Sequence, residues 1–102
     1  MTKEDLQNYQ ALKSEVAYLH RQAERASDDE SAHKTWKDAE DRVSRALLAI
    51  ETALEGLKPA ERQVLRLRYI DGLSWTQVCL RAHYSRTQVF RIHAAALKRL
   101  AK

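Results

Sequence analysis

Two helix starts, eleven residues apart, constrain the fold of this chain more than any other feature. Ser74 is followed three residues later by Gln77, and Ser85 by Gln88. This is the spacing of a capping box, in which the serine hydroxyl accepts a backbone N–H and the glutamine side chain reaches back. Only about two turns of helix and a short corner fit between such starts. The spacing therefore predicts a helix-turn-helix, meaning a short helix, a tight turn and a second helix.

The composition favours helix along the whole chain. The 102 residues include two glycines and one proline, and 44% of them are hydrophobic. Long segments are rich in Ala, Leu, Glu, Lys, Arg and Gln, which have high helix propensity. We therefore predict an all-α chain that forms one ordinary domain, or a small domain with an appendage.

The sequence gives no sign of an oxidising compartment or of a membrane. Cys79 is the only cysteine, so an internal disulfide is excluded. No apolar run approaches the roughly 18–20 residues of a membrane span, and the charged N-terminus does not resemble a signal peptide. We expect a soluble, intracellular protein without a membrane partner.

Charge is distributed unevenly between the two halves. Residues 57–102 contain ten Lys and Arg against two acidic residues, a net charge of +8. Residues 1–56 contain eight Lys and Arg against twelve acidic residues, a net charge of −4. A generic solvated surface does not explain this one-sidedness, whereas a polyanionic partner would be attracted to the C-terminal half alone. The pattern favours binding of nucleic acid there.

The first half of the chain is predicted to form two helices. Apolar residues recur at spacings of three and four between Leu6 and Ala26, which places them on one helix face. A polar run then interrupts the pattern, and within it Ser27 and Glu30 have capping-box spacing. We expect an antiparallel helical hairpin of residues 3–26 and 32–55.

A heptad repeat runs along the second of these helices. Large apolar residues recur seven apart, with alanines between them and leucines beside them, which is typical of packing against another helix. Two narrow, alanine-rich stripes make a thin core when left alone. The hairpin is therefore expected to pack on the C-terminal domain or on a second copy of itself, as a homodimer. The predicted dimer or packing seam consists of Trp36, Val43, Ile50 and Leu54.

The boundary between the two parts is predicted near residue 56. Gly56 stands just past the second helix, where a left-handed C-cap glycine is common, and Pro59 suits the first turn of a new helix. Residues 1–56 would form the hairpin, and residues 57–102 the helix-turn-helix DNA-binding domain. Its three helices are expected at about 60–70, 75–82 and 86–100.

The last helix carries side chains suited to reading DNA bases in the major groove. Helical periodicity from Ser85 turns these side chains away from the apolar side. Arginine can bind guanine O6 and N7, glutamine can pair with adenine, and threonine or phenylalanine can contact a thymine methyl group. The predicted base-contacting residues are Arg86, Thr87, Gln88, Phe90 and Arg91. The predicted DNA-backbone contacts are Ser74, Thr76, Ser85 and Lys98, and Arg99 is also placed to suit a phosphate.

Other roles for these residues stay open at this point. Arg86 and Gln88 could merely cap and solvate a helix start. Phe90 could contact the hairpin or a dimer mate instead of a base. Cys79 is expected to be a small core residue.

No pattern in the sequence is typical of an enzyme or a metal site. Cys79 and His83 lie four residues apart, but two ligands do not make a zinc site. There is no glycine-rich phosphate loop, no paired-carboxylate signal and no plausible nucleophile and base. We predict no metal, no cofactor, no small-molecule substrate and no catalytic activity.

Residues 57–100 contain several motifs that are specific when taken together. They are Leu57-Lys58-Pro59-Ala60-Glu61-Arg62-Gln63-Val64-Leu65, Arg68-Tyr69, Leu73-Ser74, Val78-Cys79, and Tyr84-Ser85-Arg86 with Val89 and Ile92. The set resembles region 4 of the sigma-70 family. This resemblance implies a domain whose last helix reads an upstream promoter element and which can contact the flap of RNA polymerase. It places the five residues named above in the base-facing role.

The chain departs from the family pattern in two ways. His83 stands where the turn usually has glycine, at a backbone position suited to a positive φ. Thr87, Phe90 and Arg91 replace residues that are commonly charged or amides, so the resemblance does not supply a target sequence. The first 56 residues also offer few aromatic side chains for promoter melting, and we do not expect a complete sigma factor.

Small proteins with an N-terminal helical segment and a region 4-like domain are similar to this chain. Among them are late-gene transcriptional activators of the ArpU and RinA type from phages and prophages. The resemblance implies a sequence-specific regulator of transcription that binds double-stranded DNA in the cytoplasm of a bacterial host cell. Two alternatives are a sigma-like module that docks on RNA polymerase, and an accessory protein of DNA packaging or replication.

Overall fold

The computed structural model describes residues 1–102 and is built from helices alone. The six α-helices are α1 (Lys3–Gln7), α2 (Tyr9–Arg25), α3 (Glu30–Glu55), α4 (Pro59–Leu65), α5 (Trp75–Ala82) and α6 (Arg86–Leu100), and a π-helical turn (Arg66–Ile70) continues α4. The predicted all-α class is confirmed. None of the helices is both long enough and apolar enough to cross a bilayer.

The contacts divide the chain into two compact units. The helix-turn-helix unit consists of residues 1–10 and 50–102, and the hairpin unit consists of residues 11–49. The predicted division into a hairpin of residues 1–56 and a DNA-binding domain of residues 57–102 stays a prediction.

Three valines form the centre of the helix-turn-helix unit. Val64 of α4, Val78 of α5 and Val89 of α6 are fully buried. Burying such a side chain contributes about 1.5–3 kcal/mol relative to leaving it in water. Because each helix supplies one valine, the contact fixes all three helices together. Partly buried side chains pack around this centre: Leu67, Leu73, Trp75, Cys79, Tyr84 and Ile92.

The N-terminal ten residues belong to the same unit as the helix-turn-helix. Leu6 and Tyr9 are buried, and the amide of Gln10 donates hydrogen bonds to the carbonyls of Tyr69 and Ile70. These carbonyls end the π-helical turn, where helical partners run out. The segment thus supplies both apolar contacts and capping to a region far away in the sequence.

The predicted seam residues differ in burial. Ile50 and Leu54 are buried within the helix-turn-helix unit, whereas Trp36 and Val43 of the hairpin unit are only partly buried. The ring of Trp36 meets that of Tyr18 edge to face, with centroids 6.3 Å apart. The C-terminal two residues of the seam are therefore buried by contacts within the chain.

The start of α3 differs from the sequence-based expectation. The predicted capping box of Ser27 and Glu30 is wrong, because Asp29 caps the helix instead. The backbone N–H groups of Ser31 and Ala32 donate to Asp29 Oδ1, both at 3.1 Å. Aspartate is an equally good N-cap, and here it stands directly before the helix.

The left-handed backbone positions also differ in part from expectation. Gly56 does not adopt a positive φ, so the predicted left-handed cap there is wrong. The two positive-φ residues are Gly72, at φ 72°, and His83, at φ 60° and ψ 38°. The position that the resemblance marked for glycine is thus left-handed, and His83 occupies it.

We expect His83→Gly to stabilise the protein. The left-handed conformation costs a residue with a Cβ roughly 1–2 kcal/mol, and the greater freedom of glycine in the unfolded chain offsets part of that gain. A net increase of about 0.5–1 kcal/mol should appear as a higher urea midpoint. His83→Val should lower the midpoint, because a β-branched residue is strained there. Equal midpoints for the three proteins would contradict the left-handed assignment.

Candidate nucleic-acid interface

Both predicted capping boxes are present. Gln77 N donates to Ser74 Oγ at 3.2 Å, and Ser74 N donates to Gln77 Oε1 at 2.9 Å. The second box repeats these distances between Ser85 and Gln88. The two helix starts that define the motif are therefore fixed by the same local chemistry.

The outer surface of α6 is exposed along the stretch predicted to read bases. Its opposite side holds Val89, His93 and Ala96, all buried. Exposure is what base contact requires, and the contact itself stays a prediction. The exposed residues are Arg86, Thr87, Gln88, Phe90 and Arg91.

Arg86 is held at the start of α6 by two neighbours. Its Nη2 donates to Thr76 Oγ1 of α5 at 3.0 Å, and its guanidinium carbon lies 5.9 Å from the centre of the Phe90 ring. Both contacts restrict a long, flexible side chain on the exposed surface. Thr76, predicted to contact DNA backbone, therefore also orients an arginine predicted to contact a base.

Gln88 belongs both to the predicted capping box and to the surface predicted to contact bases. Its Oε1 already accepts the Ser85 N–H at 2.9 Å. Pairing with adenine uses both the oxygen and the NH2 group of a glutamine. The NH2 group is the part that remains uncommitted, so Gln88 can offer a donor to a base without losing the helix cap.

An aromatic cluster connects this surface to the core. The ring of Trp75 lies 5.1 Å from that of Phe90 and 4.8 Å from that of His93, edge to face in both cases. On the far side, the Tyr69 hydroxyl and His93 Nε2 are 2.7 Å apart. Phe90 is 41% exposed, so it packs on Trp75 and still presents apolar surface outward. Aromatic contacts of this kind contribute about 0.5–1.5 kcal/mol each beyond burial.

The predicted DNA-backbone contacts are also exposed. Lys98 lines a shallow cavity of about 170 Å³ near the end of α6, together with Ala95, Arg99 and Lys102. Ser74 and Ser85 accept hydrogen bonds in the capping boxes, and each hydroxyl keeps its own proton for donation. Thr76 is exposed as well.

The assignment of Arg99 to a phosphate is not supported by its contacts. Its Nε donates to Glu61 Oε1 at 2.9 Å and its Nη2 to Glu61 Oε2 at 3.4 Å. Glu61 is buried, and the hydrogen bonds from Arg99 hold the pKa of this carboxyl below its usual value, assisted by the Lys58 backbone N–H. The pair ties α6 to α4, so the role of Arg99 is structural.

The remaining cations of α5 and α6 have no carboxylate partner. Arg62 and Arg66, by contrast, both lie within 4 Å of Glu55. Four cations of α5 and α6 are thus not neutralised by an ion pair, which leaves them a positive potential for a polyanion. The cations without an acidic partner are Arg81, Arg86, Arg91 and Lys98.

Comparison with known families agrees with this geometry. Residues 53–102 match the family model of sigma-70, region 4. The match covers just under half of the chain. Sigma-70 region 4 is a DNA-binding helix-turn-helix family of transcription, not an enzyme family, and its domains can contact RNA polymerase. No curated protein and no solved structure matches the chain.

The side chains that hold this region 4-like interface together were mostly missed by sequence reasoning. Trp75 carries no periodic signal, because it is only partly buried and stands at the first position of a short helix. Helical periodicity from Ser85 places His93 only at the margin of the apolar side of α6, whereas it is buried. The nearest signal was the apolar pattern of α6, which places His93 four residues after Val89.

We expect acid to destabilise the helix-turn-helix unit through His93. Burial lowers the pKa of His93, and the positive charges of Lys3 and Arg68 lower it further. The unfolded chain therefore binds this proton at a higher pH than the folded chain, and stability falls as pH drops below about 6.5.

A matched comparison isolates this effect from the other histidines. His93→Gln keeps a polar group for Tyr69 and removes the titration. Its urea midpoint should fall less than that of the unchanged protein between about pH 7.5 and about pH 5.5. Identical falls would exclude His93 as the source.

Proposed function

We propose that this protein is a sequence-specific regulator of transcription that binds double-stranded DNA and reads the major groove with α6. The observation that carries the proposal is the exposed outer surface of this helix, where cations without acidic partners stand beside side chains that are able to contact bases. Bases specify the site and phosphates position the protein on it.

The residues divide into two groups under this proposal. Arg86, oriented by Thr76 and Phe90, is placed to bind a guanine, and Arg91 lies about one and a half turns further along the helix. Thr87, Gln88 and Phe90 complete the group of residues that would contact bases. Ser74, Thr76, Ser85 and Lys98 would contact phosphates.

A phage or prophage regulator of the ArpU or RinA type is the specific form that we propose. The run from Arg68 to Trp75 is similar to theirs, and a helical segment precedes a region 4-like domain in both. Such a protein would act in the cytoplasm of the bacterial host.

A homodimer is part of the same proposal. The supporting observation is exposed apolar surface in the hairpin unit, where Tyr18, whose ring contacts Trp36, is 47% exposed and Leu48 is 62% exposed. A dimer would bind two half-sites related by symmetry and spaced by roughly whole turns of DNA.

A second candidate is a module that docks on RNA polymerase and binds DNA weakly alone. Leu80 of α5 favours it, because this leucine is 71% exposed and stands next to Arg81. The two candidates differ in whether DNA sequence is read in the absence of polymerase.

The deciding experiment is selection from a randomised DNA library with purified protein at near-physiological salt, with the bound mass measured by light scattering. A palindromic motif bound by a dimer supports the regulator. Binding that is salt-sensitive and indifferent to sequence contradicts it, and RNA polymerase is then the partner to test.

Arg91→Ala should weaken binding to the selected site by about 1–3 kcal/mol and leave binding to random DNA unchanged. The reason is that a base contact is lost only where the correct base is present. Lys98→Ala is the matched control, because loss of a phosphate contact weakens both DNAs alike. The affinities are measured by fluorescence anisotropy. Equal losses on both DNAs for Arg91→Ala would assign this arginine to the backbone.

A further inference from the structure

A cavity of about 300 Å³ opens within the helix-turn-helix unit, between the N-terminal segment and the start of α5. Its walls include Lys3, Gln7 and Gln10 on one side and Arg68 and Trp75 on the other. We call this cavity the notch. No acidic residue lines it.

Two cationic side chains, Lys3 and Arg68, line the notch, and no acidic side chain neutralises them. Neither Lys3 nor Arg68 forms an ion pair. Arg68 donates through Nη1 to the Leu73 carbonyl at 2.8 Å, and its guanidinium carbon lies 4.6 Å from the Trp75 ring centre. These contacts fix the guanidinium in place and leave its charge uncompensated. A fixed guanidinium and a mobile ammonium are complementary to phosphate oxygens.

The positive charges of Lys3 and Arg68 both act on His93. The ring of His93 contacts that of Trp75; burial lowers the pKa of His93 most, and the charges of Lys3 and Arg68 lower it further. Both charges thus act on this side of the aromatic cluster, and no acidic group contributes to the shift.

The notch lies next to the surface proposed to read DNA. Trp75 forms part of its wall and also contacts Phe90 of α6, with ring centres 5.1 Å apart. Ser74, a predicted backbone contact, directly precedes Trp75. The width of one aromatic ring therefore separates the notch from the α6 surface.

We propose that the notch binds a phosphate group, and that this phosphate belongs to the backbone of the DNA whose bases α6 reads. The proposal rests on the proposed function. It adds Lys3, which lies outside the segment that matches region 4, to the DNA-binding residues.

Lys3→Gln tests the assignment without disturbing the core, because Lys3 is exposed. Affinity is measured across a salt series on the selected site and on a random duplex. The plot of log K against log salt should become less steep by about 0.9 on both DNAs, since one phosphate contact is lost. The preference for the selected site should not change.

Two control variants accompany it. Lys3→Arg keeps the cation and should keep the slope. Lys13→Gln removes an exposed lysine of α2 that does not line the notch, and it should leave the slope unchanged. If Lys3→Gln has the same slope as the unchanged protein, or if Lys13→Gln changes the slope equally, the proposal is overturned.

A second arm distinguishes DNA from a soluble phosphate compound. Pyrophosphate is titrated into the protein without DNA by calorimetry. Pyrophosphate binding that Lys3→Gln abolishes, combined with an unchanged salt slope on DNA, would assign the notch to a soluble ligand and overturn the DNA assignment.

Failure of the two proposals can be told apart. The protein could select no DNA sequence and yet show a less steep salt slope on random duplex in Lys3→Gln. That result would refute the proposed regulator and support phosphate binding in the notch. A protein that selects a site and keeps its slope in Lys3→Gln would refute the notch alone.

Discussion

The position of Trp75 is the constraint on which the helix-turn-helix unit depends. Its ring packs against the valine core and contacts Phe90 and His93 of α6, and Arg68 of the π-helical turn covers it. One side chain thus joins the buried and exposed parts of three elements. Because dense aromatic packing tolerates little displacement, the orientation of α6 relative to α5 follows from this residue as much as from the turn.

Local chemistry explains why so much of the fold could be predicted from the sequence. Ser74 and Ser85 start their helices through bonds that span only three residues, and such bonds are visible as sequence spacing. The left-handed backbone at His83 was expected from the resemblance, because the family usually has glycine at this position of the turn. The exposed surface of α6 followed from periodicity, which depends on the helix alone.

Contacts between distant residues explain what could not be predicted. Nothing in the spacing of Glu61 and Arg99 shows that they meet across α4 and α6, so Arg99 was assigned to DNA. The burial of Leu6 beside the helix-turn-helix was equally hidden, because a regular apolar face does not identify its partner.

The burial of residues 1–10 against residues 50–102 has a consequence for how the chain folds. Leu6 and Gln10 are synthesised well before the helix-turn-helix, yet Gln10 bonds to Tyr69, 59 residues later. Closing so long a loop costs entropy before its contacts form, which slows folding. The hairpin helices between them shorten that loop as they form, since each residue then spans about 1.5 Å instead of about 3.3 Å. The hairpin unit, residues 11–49, would therefore act as a folding scaffold that brings the two segments of the helix-turn-helix unit together.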